Sequence, residues 1–178
     1  MPDEPNEKID LLRLGLDSYR DEYRELCNQW QNLDTKAQGT GAIAGIFLAA
    51  AVAWSRNMSD PITRLEGGLL VSTVATLVFS IVLTVFAMRI RTITAPPLGD
   101  STTEMVKDLT QINVTGEIKE RIPRFLQDQI SLWRDCNEET QKQNLSKARK
   151  IWCAQITLLI AACLVSVLLG VTLVRSLF

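Results

Sequence analysis

The chain has no histidine in 178 residues. The commonest general base and the commonest metal ligand are therefore both missing. Cysteine is scarce, with four residues, and Cys27, Cys136, Cys153 and Cys163 form no CxxC pair. Two of them lie in or beside an apolar stretch, where a thiol behaves as a small apolar side chain. Neither a zinc site nor a disulfide framework is expected. Net charge is missing too: 19 basic and 20 acidic residues leave −1, which gives no global attraction to nucleic acid polymers. No secretory signal is expected, because the N-terminus is acidic and the first apolar run of span length begins only at Ala37. There is no glycine-rich phosphate loop, GxSxG or HExxH. The acidic run Glu138-Glu139 falls on a polar helix face and reads as solvated. No enzyme and no cofactor is expected.

Charge is also absent from three long stretches, residues 37–55, 67–88 and 151–174. Each is long enough to cross a ~30 Å hydrocarbon core as a helix rising ~1.5 Å per residue. The basic residues set an expected orientation. Lys8, Arg13, Arg20, Arg24 and Lys36 precede the first span, only Arg56 and Arg64 separate the first two, 11 lie from Arg89 to Lys150, and Arg175 alone follows the last. Positive charge stays on the cytoplasmic side. The N-terminus and the segment 89–150 are thus expected inside, and the loop 56–66 and the tail 175–178 outside. Trp54 and Trp152 fall at the two interfaces, where amphipathic aromatics belong.

Before the first span, Ile9, Leu12, Leu16, Tyr19, Tyr23, Leu26, Trp30, Leu33 and Ala37 recur at alternating three- and four-residue spacing. That is a heptad seam. The expected order is a disordered 1–6, a heptad-patterned helix over 7–36, then the span. The seam needs a partner, either the helices of the 89–150 segment or a second copy of the chain.

Small residues recur at four-residue spacing within the spans. In the first these are Ala37, Gly41, Gly45, Ala49 and Ala53; in the second, Gly68, Ser72, Thr76, Ser80 and Thr84; in the third, Ala162, Ser166 and Gly170. Gly41 and Gly45 form a GxxxG, which lets helices approach closely in lipid. Two readings follow: close packing within one chain, or a face for assembly between copies. The hydroxyls of the second stripe either bond to helix carbonyls or line a water path in an oligomer. No span carries a charge, which disfavours a pump.

Between the first two spans, Asp60 is placed to cap the second helix, with Pro61 at its first position. Residues 95–99 break the chain after the second span. Ser101 and Glu104 form a capping-box pattern opening a short helix with Met105, Leu109 and Ile112 on one side. Gly116 ends it, and a further helix is expected from about Pro123, with Leu126, Ile130 and Trp133 on its apolar stripe. These elements are expected to stand on the membrane as an antiparallel bundle with Trp30 and Trp133 in its core. Two basic groups remain. Arg89, Arg91, Lys147, Arg149 and Lys150 sit where anionic head groups would meet them. Lys119, Arg121 and Arg124, near an expected helix start, are a candidate phosphate or nucleotide contact.

The sequence thus describes an all-α membrane protein. It has three transmembrane helices, and a cytoplasmic helical bundle formed by the long N-terminal helix and the segment between spans two and three. A polar helix leads through Leu33-Asp34-Thr35-Lys36-Ala37-Gln38-Gly39 into an Ala/Gly/Ile span, with a second span close behind and a last span after a Lys/Arg-rich stretch. This layout resembles the small membrane effectors of bacterial anti-phage defence, the SLATT proteins and the transmembrane effectors of Pycsar systems. The resemblance implies a homo-oligomeric inner-membrane effector. An upstream signalling enzyme makes a cyclic nucleotide, and the effector assembles or opens among the membrane lipids and depolarises the cell. The simplest SLATT layout has two spans, one fewer than here. The alternative is a membrane anchor that forms no pore and whose cytoplasmic bundle recruits a partner protein.

Overall fold

The computed structural model describes residues 4–57, 63–89 and 115–177. The described residues form three helices: α1, Glu4–Asn57, α2, Arg64–Arg89, and α3, Thr115–Leu177. All three are long and apolar enough to cross a membrane. The expected short helix at Ser101 and the Asp60-Pro61 turn lie outside the described residues.

The helix starts differ from the sequence reading in three places. Helix α1 begins at Glu4, not after Asn6. Pro5 is tolerated there because the first-turn N–H groups have no helical partner in any case. Helix α3 begins at Thr115 and carries Pro123 inside it, not near its start. The cost is one backbone hydrogen bond, the one to the carbonyl of Lys119. Helix α2 is capped by Thr63, whose N–H and hydroxyl both donate to Glu66 Oε2 at 2.8 Å, while the Glu66 N–H donates back to Thr63 Oγ1 at 3.3 Å. That is a capping box, and it satisfies two of the orphan donors of the helix start.

Packing divides the chain into two units, one from Met1–Trp30 and Thr92–Asn144, the other from Gln31–Arg91 and Leu145–Phe178. In the first, Leu16, Leu126 and Trp133 form a core against which Ile9, Leu12, Tyr19, Tyr23, Ile122, Phe125 and Ile130 pack. The Tyr23 and Trp133 rings meet edge to face at 5.5 Å, and the Arg20 guanidinium lies 5.8 Å from the Trp133 ring centre. Both contacts are arrangements that aromatic quadrupoles favour. The register is fixed by amides. Asn137 Nδ2 donates to the Tyr19 carbonyl and Asn144 Nδ2 to the Leu26 carbonyl, each at 3.0 Å and each across 118 residues. A constant offset means that the two helices run parallel here. Two elements that each lead into a span run this way in the expected bundle, and its antiparallel member, the segment between spans two and three that opens at Ser101, lies outside the described residues. Helices α1 and α3 each lead onward into an apolar stretch, so both point the same way.

In the second unit, α2 runs against the other two helices. Successive layers are Ala37, Ala87 and Ile151, then Ala44, Leu77 and Ala161. Ascending numbers on α1 and α3 meet descending numbers on α2. Between the layers, Ser80 Oγ donates to the Ala154 carbonyl at 2.8 Å. Beyond the second layer, Arg175 meets Glu66 at 3.0 Å, so the end of α3 lies beside the start of α2.

Candidate functional site

One place in the second unit combines charge, burial and helix packing. Lys147 Nζ lies 2.7 Å from Asp34 Oδ1, and the lysine side chain is 0% exposed while the aspartate is 34% exposed. Lys147 was expected at the lipid head groups, and that expectation is incorrect. The reason lies in the helix period. Leu126, Ile130, Trp133, Asn137, Thr140, Asn144, Lys147, Ile151, Ala154, Leu158 and Ala161 recur on α3 at alternating spacings of four and three, and all are buried or half-buried. The seam does not stop where the residues turn polar. Asn137, Thr140, Asn144 and Lys147 occupy core positions that apolar residues fill elsewhere on the helix. A buried ammonium requires a counter-charge, and Asp34 supplies it.

The seam residues of α1 take the complementary side. Leu16, Leu26 and Trp30 are buried, and Tyr19, Tyr23 and Leu33 are half-buried. Burial pushes the Tyr23 hydroxyl up to about 12, assisted by its hydrogen bond with Cys27. Burial also pushes the Cys136 thiol up.

The four-residue stripes do not hold together as faces. A step of four residues turns about 40° around a helix of 3.6 residues per turn. Four such steps, from Ala37 to Ala53, carry the line about 160° around, close to the opposite side. The structure shows that drift. A Cβ on Gly41 would stand 3.3 Å from Thr84 Oγ1, whereas Gly45 has nothing within 4 Å. Ala49 and Ala53 are exposed. On α2, Gly68 and Ser72 are exposed and Thr76 half-buried, while Ser80 and Thr84 are buried between helices. The buried line is instead Glu66, Thr73, Leu77, Ser80, Thr84 and Ala87. On α3, Ser166 and Gly170 are exposed and Leu168 is buried.

The hydroxyls are satisfied locally. Ser72 donates to Gly68, Thr76 to Ser72, Thr84 to Ile81 and Ser166 to Ala162, each to a carbonyl of its own helix at 2.7–2.9 Å. Ser80 alone of the α2 stripe crosses to another helix.

Of the basic groups, Arg89 and Arg149 are exposed and Lys150 is half-buried. Arg91 and the Lys119 side chain lie outside the described residues. Arg121 and Arg124 are exposed on α3, but well past its first turn. The free N–H groups of the helix start therefore do not join them in holding a phosphate. Among the described residues, no three His, Cys, Asp or Glu side chains gather as a metal site.

Three relationships lie beyond the sequence reading. The Thr63-x-x-Glu66 cap carries its own signature, and the heptad count on α3 passes through Asn137, Thr140, Asn144 and Lys147 without a break. The Glu66–Arg175 pair has no local signal, because its partners lie 109 residues apart. Comparison with protein-family models, with curated proteins and with solved structures finds no match to this chain.

Proposed function

We propose that this chain is an inner-membrane effector of bacterial anti-phage defence. On a nucleotide signal received in the cytoplasm it assembles or opens in the bilayer and disrupts membrane integrity. Its N-terminus and the segment 89–150 lie inside, and its C-terminus lies outside. Arg89, Arg149 and Lys150 meet anionic head groups at the inner face.

The observation that carries this reading is the pairing of the buried Lys147 with the half-buried Asp34, on helices that continue from polar seams into apolar stretches. A buried ammonium keeps its counter-charge only while the two helices hold one geometry. A signal that shifts α1 against α3 breaks that geometry and frees the spans to repack. The surface of Gly45, Ala49 and Ala53, open in the single chain, is the face on which copies meet.

The test is potential across proteoliposomes containing the full chain, with cyclic mononucleotides added. Loss of an imposed potassium diffusion potential supports the reading. If no cyclic mononucleotide dissipates it, and induced expression during phage infection leaves cell potential intact, the effector reading fails. The anchor reading then stands, and its mark is a partner retained by the cytoplasmic segments.

A further inference from the structure

The second unit is not filled throughout. Between the layer of Ala44, Leu77 and Ala161 and the Glu66–Arg175 pair, the three helices enclose a cavity of about 260 Å³. Its walls include Phe47, Ala51, Trp54, Thr73, Val165 and Leu168. The polar groups of its wall residues are the Trp54 indole N–H and the Thr73 hydroxyl, and that hydroxyl already donates to the Leu69 carbonyl at 2.8 Å. These fall short of the two to four polar partners that a water needs. Ala50 and Leu169 also line the cavity and are exposed, so it opens sideways between α1 and α3. These are the apolar parts of helices long enough to cross a membrane. The medium at that opening is hydrocarbon.

We infer that the cavity holds part of one acyl chain of a membrane phospholipid, entering between Ala50 and Leu169, with its head group level with Trp54. The volume falls just short of the ~300 Å³ at which small-ligand pockets begin. It accepts part of a chain and excludes a head group. Left empty, the walls forfeit their dispersion contacts, and a flexible chain restores them. Small residues at Ala50 and Ala51 make the space, and Leu168 and Thr73 close it behind. The inference is independent of the effector reading, since any role in the membrane leaves the same cavity facing the same solvent.

The test uses the full chain in mild detergent, with dioleoylphosphatidylcholine as probe. Retained lipid is counted by native mass spectrometry, and Tm is measured with and without added lipid. The wild-type chain is expected to retain a single phospholipid and to gain Tm on its addition. Ala51→Phe fills the cavity from α1. It is expected to retain about tenfold less lipid and to lose the Tm gain. Val71→Phe, on an exposed position of α2, is expected to behave as wild type. If Ala51→Phe does not fold, Ala50→Leu narrows the opening and is expected to give the same loss. Equal lipid retention by wild type and a folded cavity-filling variant overturns the inference, as does wild type that retains none.

Discussion

Lys147 Nζ and Asp34 Oδ1 are 2.7 Å apart, and the lysine has no exposed side-chain surface. Such a pair is weak evidence of stability, because desolvation offsets most of the attraction. We take it instead as a hypothesis about specificity. Pairing α3 with a second copy of itself in parallel would bury Lys147 against Lys147, and Asp34 makes α1 the better partner. Removing one member should therefore cost more than removing both. Asp34→Ala leaves a buried ammonium without its counter-charge and is expected to lose about 3 kcal/mol, the lower end of the ~3–5 range, because Asp34 is partly exposed. For a chain of this size that is a fall of ~6–12 °C in Tm. The double change Asp34→Leu with Lys147→Leu should recover most of the loss. Thermal unfolding in detergent reads both. A double variant no better than Asp34→Ala would show that the charge pair is not what couples these positions.

The two glycines of the GxxxG separate folding from assembly. At Gly41 a new side chain meets Thr84 of α2, at 3.3 Å for Cβ alone. Gly41→Leu must push α2 away and is expected to destabilise the chain by ~1–3 kcal/mol, as overpacking does. At Gly45 nothing lies within 4 Å, and Gly45→Leu should leave Tm unchanged. Under the proposed function the second variant still blocks assembly, because it fills the surface on which copies meet. The comparison is Tm against crosslinked oligomer. A Gly45→Leu chain that assembles normally would take Gly45 out of the assembly surface.

These assignments show what the sequence made legible. The seam of α1 is plain because its residues are apolar and alternate three and four. The apolar stretches are plain because they lack charge. The continuation of the seam on α3 is hidden, since Asn137, Thr140, Asn144 and Lys147 are residue types that ordinarily face water. Only the count reveals them. The four-residue stripes misled for the opposite reason: the residues look uniform but the period is wrong, and the true buried lines of all three helices follow three and four. The parallel run of α1 and α3 is carried by two amides reaching backbone carbonyls, and backbone acceptors leave no mark in a sequence. The Glu66–Arg175 pair depends on how three helices stack.

Tyr23 provides a titration of the first unit. Its hydroxyl is pushed from the ordinary 10.0 up to about 12, chiefly by burial, with Cys27 acting in the same direction. The folded state thus holds its proton more tightly than the unfolded state does. The resulting stability is fully present below pH 10, declines as pH rises from 10 toward 12, and is lost above it. Tyr23→Phe keeps the ring against Trp133 and removes the titrating group. The difference in Tm between variant and wild type should be flat below pH 10 and should grow in the variant's favour between 10 and 12. Taking that difference cancels the other thiols and amines that titrate in the same range. Absorbance at the tyrosinate band gives a second reading, since the chain has two tyrosines and the variant should lack the step at about pH 12. A difference in Tm that stays flat through pH 12, with that step still present in the variant, would show that Tyr23 titrates as an open side chain. The half-buried position it takes against Trp133 would then be wrong.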